Sequence, residues 1–294
     1  MIIDYILIIV AFIWMIFATI SDIKTKEVPN WLNFSLIIIA FSLRAFQSLI
    51  FKNLFYFLFG VIGFIVFFII ANLMYYTKQW GGGDAKLLMG LGIIFATYPE
   101  SLLNYFNPKF GVPFLLILFI NILFVGAIYG LIWSIILAIK NRKNFIGYSK
   151  EVLYKKENII LKRIAWIFFI LIILISFLFR ENLIRLFLIL FGLMILFLYY
   201  LYVFVKVTEK TSMFKLIDVN KLTEGDWIIK DIFVKGRKIY SARKVGVDKR
   251  DIAVLKKYKV RKVLIKEGIP FVPSFLIGII VSLIWGNILL FVLI

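Results

Sequence analysis

Long runs without a charged side chain dominate this chain of 294 residues and restrict its fold more than any other feature. Eight such runs occur: Tyr5–Ser21, Val28–Leu43, Asn53–Thr77, Leu87–Pro99, Phe110–Ile139, Ile164–Phe179, Leu186–Val205 and Gly268–Ile294. The chain is 63% hydrophobic, whereas soluble domains are ~45–50% apolar. Because the runs are continuous rather than alternately apolar and polar, they predict membrane-spanning helices and not a transmembrane β-barrel.

The expected fold is therefore an all-α polytopic membrane protein with about eight transmembrane helices. A helix needs ~20 apolar residues to cross a membrane, with ~17 as the lower limit. The slightly shorter runs reach that length if flanking charged side chains snorkel. The fourth run, Leu87–Pro99, has only 13 residues, so it is either a short span or a re-entrant segment.

Positive charges predict the orientation of these helices. If the residues after the first run are cytoplasmic, the short inner segments carry 12 Lys and Arg residues. The outer segments then carry five, which are Arg44, Lys52, Lys109, Arg180 and Arg185. This bias predicts a multi-pass protein of the cell membrane with both termini outside. The first run lacks the basic start and cleavage site of a signal peptide, so we expect it to be retained.

The composition changes between Lys206 and Glu267, a segment that contains 18 basic and 8 acidic residues. Turn signals separate three predicted strands, Phe214–Val219, Trp227–Val234 and Val260–Ile265, from a predicted helix at Asp248–Lys257 with Asp248 as its N-cap. The expected domains are a transmembrane core at 1–205, a small basic α+β cytoplasmic module at 206–268 and a final transmembrane helix at 269–294.

The chain contains no Cys and no His, which excludes many kinds of chemistry. Disulfides, thiol nucleophiles, Cys-ligated metals and His-based triads are all ruled out. We expect no metal site and no cofactor. Proton transfer must come from Asp, Glu, Lys or Tyr. Of the 16 acidic residues, only Asp22, Glu27 and Asp84 fall at the predicted inner membrane face, and Glu27 fits a solvated loop.

Asp22 and Asp84 form a pattern that suggests a shared function. Asp22 ends the first run, and Asp84 directly follows Gly81-Gly82-Gly83. Glycines allow another chain to approach closely, so an extended peptide could pair with this segment. Two carboxyl groups facing across such a peptide can activate water and protonate the scissile carbonyl. Taken singly, each also fits a structural role, Asp22 at a helix end and Asp84 as an N-cap.

Neighbouring side chains have simpler predicted roles. Lys86 lies two positions beyond Asp84, so on a helix it points to nearly the opposite side and is expected to snorkel. Tyr75, Tyr76 and Trp80 fit an aromatic belt at the membrane interface.

The pattern as a whole resembles the prepilin peptidase family, the GxGD membrane aspartyl proteases of type IV pilins and archaeal flagellins. Asp22 with Pro29 seven positions later, and Gly81, Gly83 and Asp84 followed by Lys86, match the motifs of that family. The resemblance covers roughly residues 10–95. The rest is similar in layout to archaeal members, including Pro270-Phe271-Val272-Pro273 before a final helix. It implies that Asp22 and Asp84 are catalytic and that Pro29, Gly81, Gly82, Gly83 and Lys86 support the site or bind substrate.

The resemblance also implies an activity: cleavage of a short basic leader (a class III signal peptide) from a pilin or flagellin precursor at the cytoplasmic membrane face. The expected partners are this precursor and membrane lipids, without nucleic acid. Bacterial members commonly carry a Cys-rich insertion and also N-methylate the product. This chain has no Cys, so we expect proteolysis without methyltransferase activity.

Two other functions fit parts of the sequence. Intramembrane carboxylates and a glycine-broken helix also occur in ion-coupled transporters, although both Asp residues are predicted at one face and no internal repeat is seen. A third possibility is a membrane anchor that displays the basic module to anionic partners. Cleavage of a precursor by the purified protein would distinguish these functions.

Overall fold

The computed structural model describes residues 2–242 and 246–292, and the chain is mainly helical over these ranges. The helices are α1 (Ile2–Thr25), α2 (Asn30–Ile50), α3 (Phe55–Tyr76), α4 (Gly82–Ile94), α5 (Phe114–Lys140), α6 (Arg142–Tyr154), α7 (Lys156–Ser176), α8 (Asn182–Thr208), α9 (Lys249–Lys257), α10 (Val272–Trp285) and α11 (Ile288–Val292). The strands are β1 (Phe214–Asp218), β2 (Trp227–Ile228), β3 (Ile232–Val234), β4 (Arg237–Tyr240) and β5 (Lys262–Lys266).

Six helices in the described ranges are long and apolar enough to cross a membrane, namely α1, α2, α3, α5, α7 and α8 with its extension to Met213. They make the chain a multi-pass membrane protein, as the sequence predicts. The other two apolar runs form shorter helices, α4 with 13 residues and α10 with 14. At ~1.5 Å per residue these helices are about 20 Å long, less than the ~30 Å of a hydrocarbon core. The count of eight spans remains a prediction.

The chain divides into two compact units. One comprises Met1–Leu131, Ile217–Val263 and Gly268–Ile294, and the other comprises Ile132–Leu216 and Leu264–Glu267. The composition-based boundaries at 205/206 and 268/269 remain a prediction.

The core of the first unit is built by α1 to α4, the start of α5 and α10. In α1 the buried residues recur every three or four positions: Ile3, Leu7, Ala11, Met15, Ala18 and Asp22. This spacing is that of one face of an α-helix. Asp22 therefore lies on the buried face of α1, directly in line with apolar core residues.

The C-terminal end of α4 is held by a buried arginine from α2. Arg44 is 3% exposed and donates to the carbonyl oxygens of Ile93 at 3.1 Å and Ile94 at 2.7 Å. It also donates to Gln47, which in turn donates to Asp4. The prediction that Arg44 is a charge of an outer loop was wrong, because α2 continues to Ile50 and the last carbonyls of α4 need a donor inside the protein.

The soluble elements of the basic segment follow the predicted pattern closely. Helix α9 has Asp248 as its N-cap, with Asp248 Oδ1 accepting from the N–H of Asp251 at 2.6 Å. The predicted strand Trp227–Val234 is instead two short strands, β2 and β3. The chain is interrupted at Asp231, whose carboxylate accepts from the N–H of Ala242 and pairs with Lys238. Strands β3 and β4 form an antiparallel hairpin, and β1, β5 and β2 form a second sheet in that order.

In the second unit, α6, α7 and α8 share a separate apolar core. Asn158 at the start of α7 is buried there and donates to the carbonyl of Val152 at 2.6 Å. The hydroxyl of Tyr199 in α8 donates to the backbone carbonyl of Asn158. These polar contacts link the three helices.

Candidate active site

Asp22 lies in the last turn of α1, at the start of a tightly bonded connection to α2. The N–H of Lys26 donates to the carbonyl of Asp22 at 2.8 Å, and the hydroxyl of Ser21 donates to the carbonyl of Glu27 at 2.8 Å. Pro29 is the N-cap residue of α2, and its carbonyl accepts from the N–H groups of Leu32 and Asn33 in the first turn of that helix. The seven positions from Asp22 to Pro29 therefore cover the last turn of α1 and its short connection to α2.

Asp84 lies in the first turn of α4, two residues after the helix begins. Gly81 is the N-cap residue in an extended conformation, and its N–H donates to Asp84 Oδ2 at 3.0 Å. Asp84 therefore occupies the third helical position and accepts from the free N–H of the N-cap residue. The sequence had instead suggested Asp84 as the N-cap. The Asp84 side chain is partly exposed.

The two motif segments pack directly against each other. A Cβ atom on Gly83 would lie 3.1 Å from both the Cβ and the backbone nitrogen of Val28, so only a glycine fits without displacing that turn. Asn33 of α2 donates to the carbonyl of Gly83 at 3.4 Å. Segments about 55 positions apart in the sequence are therefore joined by backbone contact.

Lys86 adds a further link between the segments. Its ammonium donates to Asn30 Oδ1 at 2.7 Å and lies 5.6 Å from the centroid of the Phe34 ring. Lys86 was expected to snorkel, and its hydrogen bond to the start of α2 was not foreseen. Asn30 and Asn33 carry no sequence signal beyond their position just after Pro29.

Asp22 has a partner that the motif analysis did not identify. Only 4% of Asp22 is exposed, and its Oδ2 accepts a hydrogen bond of 2.9 Å from the N–H of Val272. Val272 is the first residue of α10. The Pro270-Phe271-Val272-Pro273 sequence was noted only for its position before the last helix, and it is the one signal that could have found this contact.

Trp80, the residue before the glycine run, is part of the protein interior. It is 4% exposed, and its ring lies 5.1 Å from Phe275, 5.7 Å from Phe271 and 6.3 Å from Phe119. The prediction that Trp80 belongs to an interfacial belt was wrong for this reason: the start of α10 and α5 supply an aromatic pocket for its ring. Tyr76, by contrast, is 68% exposed.

The two candidate acids, Asp22 and Asp84, interact electrostatically. Two neighbouring carboxyl groups favour a state in which they share one proton, because two like charges close together repel each other. Such a pair supplies both a base and an acid. Within residues 2–242 and 246–292 no three Asp, Glu, His or Cys side chains are grouped as metal ligands would be.

The remaining predicted site residues have distinct places. Gly82 faces the ring of Tyr75, where an added Cβ would make an ordinary contact of 3.5 Å. Glu27 is exposed, as expected for a solvated loop. Tyr129 of α5, which the sequence did not single out, is close enough to Asp22 to interact with its charge.

Known proteins match the part of the chain that holds this arrangement. Residues 9–135 match the type IV leader peptidase family. The preflagellin peptidase of Methanococcus voltae is 28% identical over 136 residues, which are 46% of this chain and 58% of that protein. The preflagellin peptidase of Methanocaldococcus jannaschii is 31% identical over 112 residues, 35% of this chain and 47% of that protein. The chain thus spans about half the length of these relatives. No solved structure matches it significantly.

The matched segment contains Asp22, Asp84 and the two turns that pack together around Gly83. Helices α10 and α9 and the basic segment lie outside it. Over residues 9–135, this chain is similar to the type IV leader peptidase family.

Proposed function

We propose that this protein is a membrane-embedded aspartyl endopeptidase that removes the short basic leader from a type IV pilin-like or archaeal flagellin-like precursor. The observation that carries the proposal is the packing of the Asp22–Pro29 turn on the Gly81–Asp84 segment, with both carboxyl groups within electrostatic reach. The preflagellin peptidase relatives support the reaction class and the precursor class.

The proposed chemistry needs only the two carboxyl groups and a water molecule. The ionised carboxylate takes a proton from water as the water oxygen attacks the scissile carbonyl carbon, and the protonated carboxyl donates to the carbonyl oxygen. The tetrahedral species then collapses, the C–N bond breaks, and a proton passes to the leaving amine. Neither metal nor other cofactor takes part in these steps, and no methyl transfer accompanies them.

The proposed substrate position follows from its two-part chemistry. The apolar helix of the precursor stays in the bilayer, while the flexible junction with its basic leader meets Asp22 and Asp84 at the membrane surface. With the positive-inside orientation, this surface is the cytoplasmic face of the cell membrane and both termini lie outside.

Cleavage of purified pilin-like and flagellin-like precursors in detergent or liposomes tests the proposal. Asp22→Asn and Asp84→Asn each keep the side-chain shape but abolish the shared proton, so both variants should insert normally and cleave nothing detectable. Glu27→Gln, an exposed acid in the same turn, is the matched control and should retain wild-type turnover. Wild-type turnover in either Asn variant would contradict the dyad.

The same preparations distinguish the transporter alternative. If the wild-type protein cleaves neither precursor but carries protons into liposomes, and Asp22→Asn stops that flux, ion transport is the function. A labelled methyl donor added to the cleavage assay should leave the mature product unlabelled. Label on its new N-terminus would show methyltransferase activity.

A further inference from the structure

The start of α10 holds one of the two proposed catalytic acids. The N–H of Val272 donates to Asp22 Oδ2 at 2.9 Å in a buried setting, and the N–H of Phe271 faces the same carboxylate. These are the free N–H groups at the N-terminus of a helix, where the aligned peptide dipoles favour negative charge. By comparison, Asp84 accepts from one backbone donor, the N–H of Gly81.

Phe271 also contacts the segment that carries Asp84. The ring of Phe271 lies 5.7 Å from that of Trp80, which immediately precedes Gly81. One helical turn further along α10, the ring of Phe275 lies 5.1 Å from that of Trp80 and 5.7 Å from that of Phe271. A single dipeptide therefore touches both motif segments, by its backbone on the side of Asp22 and by its ring on the side of Asp84.

Helix α5 leaves room for this arrangement. A Cβ atom on Gly126 would collide with the ring of Phe271, so this position of α5 accepts only a glycine while Phe271 keeps its place. Tyr129, one turn along α5, is within electrostatic range of Asp22. Phe271 is thus enclosed by α5, Trp80 and Phe275, which fixes the direction of the adjacent N–H groups.

We infer that Phe271–Val272 is a positioning element that holds Asp22 as the carboxylate, so that Asp22 is the general base and Asp84 carries the acid proton. The inference rests on the proposed peptidase function. Backbone N–H donors favour the charged form of a carboxyl group. The N–H of Val272 donates to Asp22 and that of Phe271 faces it, and together they offset the burial of Asp22, which by itself opposes the charge. The positioning element lies outside residues 9–135, so the family match by itself does not contain the complete site.

Three other groups face Asp22, and their charges also affect any measurement of its pH dependence. They are Lys26 directly after α1, Asp84 on α4 and Tyr129 on α5. None of them changes when the Val272 N–H alone is removed. An ester in place of the amide at position 272 does this, because it substitutes oxygen for N–H and keeps the valine side chain.

The ester variant of the full-length protein should lower kcat for precursor cleavage at least tenfold with KM unchanged. Without its N–H donor the Asp22 carboxylate takes up a proton more readily, so the acid limb of the rate profile should move to higher pH by about one unit. Val272→Ala removes buried side-chain atoms but keeps the N–H, and its acid limb should match that of the wild type. A wild-type acid limb in the ester variant, or an equal shift in Val272→Ala, would overturn the inference.

A second measurement needs neither cleavage nor the ester variant. The Asp84→Asn variant retains only the Asp22 carboxyl of the pair, and the Asp22→Asn variant retains only the Asp84 carboxyl. Infrared titration of the carboxyl band therefore reports one member of the pair in each variant. Asp22 should ionise at a lower pH than Asp84. The reverse order would exclude Asp22 as the base. If the expected order is found but the wild-type protein cleaves no precursor, the proposed function fails while the positioning of Asp22 stands.

Discussion

Gly83 is the residue on which the contact between the two motif segments depends. Its hypothetical Cβ lies 3.1 Å from the backbone nitrogen of Val28, whereas that of Gly82 lies 3.5 Å from the edge of the Tyr75 ring. We expect Gly83→Ala to push the Asp22–Pro29 turn away and to lower kcat/KM by roughly 10- to 100-fold, because small misplacements of catalytic groups are costly. Gly82→Ala should stay within about twofold of wild type.

Precursor cleavage by the two purified glycine variants, side by side, checks this prediction. Both variants should show wild-type helix content by circular dichroism. Equal activity of Gly83→Ala and Gly82→Ala would mean that the contact with Val28 does not position the acids.

The shared proton of Asp22 and Asp84 leads to a prediction about pH. The active state is singly protonated. At low pH both groups carry protons and no base remains, and at high pH both are ionised and no acid remains. The rate of cleavage should therefore be bell-shaped against pH, measured with saturating precursor and with insertion verified at each pH. A flat profile under conditions in which chemistry limits the rate would contradict the proton-sharing pair.

Among the elements, α4 depends most on a single buried side chain. Arg44 satisfies the carbonyls of Ile93 and Ile94 at the end of α4 and is linked through Gln47 to Asp4. Arg44→Leu would leave these buried acceptors without donors, so we expect the free energy of unfolding to fall by about 3 kcal/mol. Because α4 carries Asp84 at its other end, cleavage activity should fall as well.

Thermal unfolding in detergent micelles measures the effect of Arg44→Leu. Arg180→Leu is the control, because Arg180 is exposed in the connection between α7 and α8, and it should change the midpoint little. Similar midpoints for Arg44→Leu and the wild type would show that other donors, such as water, satisfy the carbonyls of α4.

The elements also differ in how far the sequence could predict them. Helix α9 and its N-cap Asp248 follow from a local signal, because a capping carboxylate binds an N–H three residues away. The lengths of α4 and α10 did not follow from the apolar runs, since Leu87–Pro99 and Gly268–Ile294 continue past the residues where the helices end. An apolar run shows which residues avoid water but not where a buried helix is stopped by its neighbours.

For the whole molecule, the charge distribution predicts that both termini lie outside. The short segments carry 12 basic residues on the predicted inner side, and the outer side keeps four of its predicted five once the buried Arg44 is left out. A reporter that is active only in the cytoplasm should therefore be inactive when fused after Ile294. Activity of that fusion would require an odd number of spans. It would support a re-entrant arrangement of Leu87–Pro99, which forms only the short α4 within the described chain.

The basic module should be dispensable for bond breaking, provided that the start of α10 is kept. Replacing Lys210–Lys266 with a flexible linker retains Phe271 and Val272, so kcat should be preserved while KM rises if the module binds precursor. A second deletion that extends through Pro273 removes the N–H donors of Asp22 and should abolish cleavage. Loss of cleavage in the first deletion, with insertion intact and precursor saturating, would place part of the active site in the module.

By itself the sequence determined that this is a multi-pass helical membrane protein and which few acids could act together, because apolar runs, charge-free stretches and motif spacing are local properties of a chain. The tertiary structure decided that Arg44 and Trp80 are buried rather than at the surface. It also decided that Asp22 binds the N–H of Val272, 250 positions away. Contacts over that distance depend on how the helices pack, and a buried charge or N–H is stabilised only by the partner that packing brings to it.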